Sequence, residues 1–170
     1  MWKYQRSEED RAAESPRRPR KPKKTALMTA VDLLARQEQS EKKLREKLLR
    51  KGYAEEEVQQ AVNRLEEMRY LNDANACARQ FEFLYNESRS SVRQICVKLM
   101  QRGFESSLVK DCIPSDTFER EKAAALRVLA LKFKPAADRQ KMMANLYSKG
   151  FDSSAIRAAV AEFQQAGENE

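Results

Sequence analysis

The 170-residue chain contains no histidine. That absence removes the commonest general acid–base, the usual partner of a serine or cysteine nucleophile, and the commonest metal ligand. Glycine is scarce as well. Three of the four glycines fall inside one recurring turn, so no phosphate-cradling loop can be drawn. The cysteines (Cys77, Cys96, Cys112) are odd in number and widely spaced, without the pattern of a zinc site or a disulfide framework. Cys96 and Cys112 fall on apolar helix positions and read as small buried residues in a reducing compartment. No apolar run approaches the roughly 20 residues of a membrane-spanning helix. Met1–Lys24 holds no apolar stretch that could serve as a secretory core. The expectation is a cytoplasmic protein with no enzymatic role, cofactor, metal or membrane contact.

What the chain has is charge. Charged residues make up 35% of it and apolar residues 41%, with a net charge of +7. Residues 1–24 hold nine basic and four acidic residues, so basicity concentrates in this tail and the remainder is nearly balanced. Pro16, Pro19 and Pro22 alternate there with Arg17, Arg18, Arg20, Lys21, Lys23 and Lys24. Closely spaced prolines exclude helix and like charges repel, so 1–24 reads as a disordered tail. Two roles stand open for it: a solvated leader, or a weak, salt-sensitive contact with nucleic acid or an acidic partner. Thr25 is positioned to cap the helix that follows, where Leu27, Ala30, Val31 and Leu34 share one face.

An internal repeat organises everything after the tail. Leu48-Leu49-Arg50-Lys51-Gly52-Tyr53, Leu99-Met100-Gln101-Arg102-Gly103-Phe104 and Leu146-Tyr147-Ser148-Lys149-Gly150-Phe151 all read Leu, apolar, polar, basic, Gly, aromatic. The glycines are 51 and 47 residues apart. Leu44, Ile95 and Met142 precede them by equal spacing; Val58, Val109 and Ile156, then Val62, Ile113 and Val160, follow. A helix ending in this way needs a left-handed residue next, which glycine adopts without a Cβ clash. The aromatic can then fold back on the Leu inside the helix and staple to the apolar residue in the next one. Gly52, Tyr53, Gly103, Phe104, Gly150 and Phe151 are therefore structural turn residues.

The spacing predicts an all-α chain of three tandem three-helix repeats (25–71, 72–114 and 115–165) with a short C-terminal tail, 166–170. Helices are expected at about 25–37, 41–51, 55–68, 73–86, 90–102, 105–112, 117–133, 136–149 and 153–165. Asp73 reads as an N-cap, and Asp116 with Glu119 has capping-box spacing. Pro114 and Pro135 fall between helices. A unit of roughly 45 residues buries too little surface to fold alone, so the units stack into an elongated, curved body.

Helix, glycine turn, helix also suggests a DNA-reading helix-turn-helix. The helix after the first turn opens Ala54-Glu55-Glu56-Glu57, however, and carboxylates there would meet phosphates. Cations lie on the helix before each turn: Lys43, Lys47 and Lys51 in the first unit, Lys98 and Arg102 beside Gln94 in the second, Lys141 and Lys149 beside Asn145 in the third. One reading is a solvated face favouring the C-terminal dipole. The other is a repeated cationic surface suited to a periodic, acidic partner. Arg45, whose counterparts are Cys96 and Met143, either snorkels or serves an interface.

This pattern resembles the RecX family, modulators of the RecA recombinase. The residues that carry the resemblance are Ser40, Leu44, Lys47-Leu48 and Lys51-Gly52, then Tyr70-Leu71-Asn72-Asp73, then Ala78, Arg89, Arg93, Ile95, Leu99 and Arg102-Gly103-Phe104. In the third unit they are Ala124, Lys132-Phe133, Arg139-Gln140-Lys141, Lys149-Gly150-Phe151 and Ile156-Arg157. The resemblance spans about 26–163. Asn72 departs from it, standing where the family commonly has a second acidic residue, and 86–91 lacks the family's frequent glycine. The resemblance implies a monomeric regulator that lies in the groove of the RecA filament on single-stranded DNA, touching DNA directly only weakly. It would inhibit RecA's ATPase and strand exchange and so modulate recombination, DNA repair and the SOS response. Candidate contact residues, from repeat geometry and charge, are Lys43, Lys47, Lys51, Arg89, Arg93, Lys98, Arg102, Lys141 and Lys149. The alternatives are a RecA-independent nucleic-acid-binding protein or transcriptional regulator, and a helical adaptor for another acidic protein.

Overall fold

The computed structural model describes residues 24–168. Residues 1–23, and with them almost all of the basic tail, lie outside the described residues. The described residues are all-helical: α1 (Ala26–Arg36), α2 (Glu41–Arg50), α3 (Glu55–Glu67), α4 (Asp73–Glu87), α5 (Val92–Gln101), α6 (Ser106–Asp111), α7 (Phe118–Lys132), α8 (Arg139–Ser148) and α9 (Ser153–Glu168). None of these helices is long and apolar enough to cross a membrane. The last runs to Glu168, beyond the 165 expected of it.

Helix packing is concentrated within three units, α1–α3, α4–α6 and α7–α9. Each unit has its own apolar core. The first gathers Leu44, Leu48, Tyr53, Val58, Val62 and Leu65. The second gathers Cys77, Phe81, Ile95, Leu99, Phe104 and Val109. The third gathers Ala124, Leu129, Met142, Leu146, Phe151 and Ile156. The turn aromatic sits in each core with the Leu before it and the apolar residue after it.

The turns share one backbone. Gly52, Gly103 and Gly150 have φ of +90°, +93° and +75°. Each glycine N–H donates to the carbonyl three residues back, at 2.9 Å in all three. The N–H groups of Tyr53, Phe104 and Phe151 reach back to Leu48, Leu99 and Leu146 at 3.4, 3.3 and 3.3 Å. This pair of bonds closes orphan carbonyls at the helix end. The α3 C-terminus makes the same closure with Arg69 at φ +59°.

Several local expectations are corrected. Of the expected α1 face, Ala30 is buried and Leu27 and Leu34 pack on the core, but Val31 is 41% exposed, and Ala26 and Leu33 join the core as well. Asn72, not Asp73, caps α4 by accepting from the Asn75 N–H. Thr117 precedes α7 without a side-chain cap, while Asp116 accepts from the Phe118 N–H before the helix is under way. Cys96 and Cys112 are only half-buried and Cys77 is the fully buried thiol. Burial and the neighbouring Cys112, whose sulfur is 3.9 Å away, push the Cys77 thiol up to about 12. Arg45 pairs with Glu41 at 2.6 Å on its own helix.

Candidate functional site in the clefts between units

Each junction plugs the N-terminus of a middle helix into the glycine turn of the next unit. At the first junction the buried Ser40 caps α2 by accepting from the Lys43 N–H, and its hydroxyl donates to the Arg102 carbonyl at 2.6 Å. The Glu41 N–H, a donor with no partner inside its own helix, reaches the Asp73 carboxylate at 2.8 Å. Desolvation raises the Asp73 pKa above its ordinary value. Asp73 therefore serves the preceding unit, while Asn72 caps α4.

The second junction repeats this construction. Ser91 accepts from the Gln94 N–H and donates to the Lys149 carbonyl at 2.7 Å. The Val92 N–H donates to Glu121, which is 2% exposed and also accepts from the Asp152 N–H. Beside it, Arg120 donates to the carbonyls of Leu84, Tyr85, Ser88 and Ser90 and lies 4.8 Å from the Tyr85 ring centroid. Burial lowers the Arg120 pKa. The turn glycines have a second use here. A Cβ on Gly103 would stand 2.5 Å from the Ser40 hydroxyl, and one on Gly150 would stand 3.0 Å from Arg93.

These junctions gather most of the candidate cations. Lys43, Lys47 and Arg102 line the cleft between the first two units, with Glu38 and Gln80. Arg93, Lys98 and Lys149 line a cleft between the second and third, with Val97 and Tyr147. Arg89 and Lys149 line an adjoining one with Arg127 and Lys132. Lys51 belongs to the outer end of the first unit, beside Lys24 and Arg36. Lys141 is exposed on the first turn of α8 and joins none of these groups.

The cations are less free than a solvated stripe suggests. Lys43 pairs with Glu46 at 2.8 Å, Lys98 donates to Ser90 and Arg102 to Gln80. Arg127 and Lys132 were not among the expected contact residues. They sit on α7, and only the helix before each turn shows the repeated spacing. The chemistry offered is multipoint electrostatic binding of an anionic surface, with hydrogen-bond donors fixed by the fold.

The comparisons with known proteins agree with this architecture. The sequence profile described as the first three-helix domain of RecX matches residues 26–65. The chain is 32% identical over 138 residues to the regulatory protein RecX of Caldanaerobacter subterraneus subsp. tengcongensis, covering 81% of this chain and 70% of that one. It is also 32% identical over 146 residues to the RecX of Neisseria meningitidis serogroup A, covering 82% of this chain and 92% of that one. The crystal structure of RecX from Lactobacillus salivarius superposes with a TM-score of 0.71 at 19% identity, over 82% of this chain and 95% of that one, a likeness of fold. By sequence and by architecture, the chain belongs to the RecX family of regulatory proteins.

Proposed function

We propose that this chain binds the RecA filament on single-stranded DNA, spans neighbouring protomers and inhibits RecA's ATP hydrolysis and strand exchange. It acts in the cytoplasm as a monomer, with no catalytic step or cofactor of its own. The observation that carries this reading is the recurrence of cationic clefts at successive junctions. Cationic clefts that recur at junctions of one design suit an acidic partner that itself repeats. The three units, 25–71, 72–114 and 115–165, are then successive contact modules. The acidic first turn of α3, Glu55–Glu57, weighs against the alternative of a helix inserted into a DNA groove.

The test is single-strand-dependent ATP hydrolysis by RecA with this protein added well below RecA's concentration. Turnover and strand exchange should slow, since one bound chain affects many protomers. Reversing Lys47, Arg89, Arg93 and Lys149 to Glu should abolish inhibition, keep the circular dichroism and flatten the salt dependence of binding. Sequence-selective binding to naked duplex, with RecA turnover untouched at equimolar protein, would instead support a RecA-independent regulator.

A further inference from the structure

Solvent-facing helix positions ordinarily carry polar residues. One repeat position in this chain does the opposite three times. Leu49, Met100 and Tyr147, each three residues before a turn glycine, are 46%, 43% and 47% exposed. Each follows the fully buried leucine of its turn, so it points about 100° around the helix from the core. A single exposed apolar residue is ordinary. Recurrence at one position with matched exposure is not explained by the core, which leaves all three half in water. The position three residues earlier, by contrast, varies freely: Glu46, Val97, Ala144.

The surroundings are cationic. Tyr147 shares its cleft with Arg93, Lys98 and Lys149. Met100 lies three residues before Gly103, on which Lys42 and Lys43 pack. Leu49 is followed by Arg50 and preceded one turn earlier by Arg45. Cations alone suit DNA and acidic protein equally. Leucine and methionine do not, because phosphates and sugars offer them no partner, and only the tyrosine could stack on a base. Exposed apolar side chains complement apolar depressions on a protein surface, and the cations beside Tyr147 suit a depression rimmed by carboxylates.

We propose that Leu49, Met100 and Tyr147 are three equivalent contacts with the protein subunits of a polymeric partner, each entering an apolar depression, with an acidic rim where Tyr147 docks. This rests on the filament reading above and adds that the array grips the filament's protein rather than its DNA. Three contacts on one chain act together, so their losses multiply.

The experiment measures binding of the full chain to RecA filaments on a labelled single strand, and separately to the naked strand. Leu49→Ser, Met100→Ser and Tyr147→Ser should each weaken filament binding about 5-fold, and the triple variant roughly 100-fold. Binding to the naked strand should stay within about twofold and keep its salt dependence. The conservative set Leu49→Met, Met100→Leu and Tyr147→Phe should bind as the parent does. Should the serine set melt at lower temperature, glutamine at the same positions gives the same readout with a better helix former. If the parent binds filaments and the triple variant binds equally well, the inference is overturned and the filament reading stands. Equal losses on filament and naked strand overturn it also, by placing the contacts on nucleic acid. A parent that ignores RecA filaments overturns the filament reading itself.

Discussion

The two junctions use one design at different depths. In both, a serine hydroxyl crosses to the C-terminal carbonyl of the next unit's middle helix, and a carboxylate from that unit takes the first N–H of the plugged helix. At the first junction the carboxylate is Asp73, half-buried and serving one donor. The remaining polar links there are the exposed pair of Arg79 with Glu38 and a part-buried bond from Gln80 to the Glu38 carbonyl. At the second junction Glu121 is nearly inaccessible, ties α5 and the start of α9 to α7, and lies beside an Arg120 committed to four carbonyls. Exposed pairs contribute little, whereas a buried charge stripped of its partner is expensive. The second and third units are therefore locked together, and the first is attached by a softer joint.

The largest expected effect breaks the comparison at its deepest point. Glu121→Ala leaves two N–H donors unsatisfied and the Arg120 charge uncompensated, at a cost of about 3–5 kcal/mol. Asp73→Ala removes one acceptor from a half-buried site, at about 1 kcal/mol. Urea denaturation of the two variants measures the gap directly. Equal losses would mean that the junctions have the same strength despite their difference in burial.

The turn glycines give a smaller but sharper contrast. Gly52→Ala and Gly103→Ala impose the same left-handed strain, about 1–2 kcal/mol. Gly103→Ala also drives a methyl group to 2.5 Å from Ser40, whereas nothing lies within 4 Å of the same position at Gly52. Gly103→Ala should therefore cost more by about 1 kcal/mol or more. Adding Ser40→Ala should recover part of that excess, and only for Gly103. A matched pair of midpoints would show that the junction does not press on the turn.

This contrast also marks what the sequence can tell. The left-handed turn is legible because its cause is local: a helix end, a glycine and an aromatic lie within six residues. The all-helical repeat follows from the same spacing. The junction chemistry is not legible, because its partners are 29 to 62 residues apart. Asp73 reads as a cap for the helix it opens, yet its acceptor faces Glu41 of the unit before. Nothing in the spacing of Arg120 and Glu121 announces that α4 and α5 close over them. The cations on the middle helices are visible as a stripe. That the stripe folds into clefts, with Arg127 and Lys132 added from another helix, depends on how the units stack.

The smallest effect sharpens the comparison through pH. Asp73→Asn keeps an acceptor for the Glu41 N–H and removes the charge. Burial raises the folded-state pKa of Asp73, so its ionised form is penalised in the folded protein relative to the unfolded chain. The penalty is fully present above the raised pKa. It fades as pH falls through that pKa toward the ordinary aspartate value, where both states are protonated. Asp73→Asn should therefore be neutral or slightly stabilising near pH 7, by less than about 1 kcal/mol, and lose that advantage on acidification. Glu121→Gln should behave differently. Its amide can accept from one N–H but turns a donor toward the other, and it leaves Arg120 without a counter-charge, so it is destabilising near pH 7. Urea midpoints of both amide variants against the parent at pH 7, 5.5 and 4, roughly spanning the carboxylate range, decide the matter. A stability difference for Asp73→Asn that does not change with pH would mean that the Asp73 carboxylate is as well solvated as it is in the unfolded chain. The softness of the first junction would then rest on its remaining links alone.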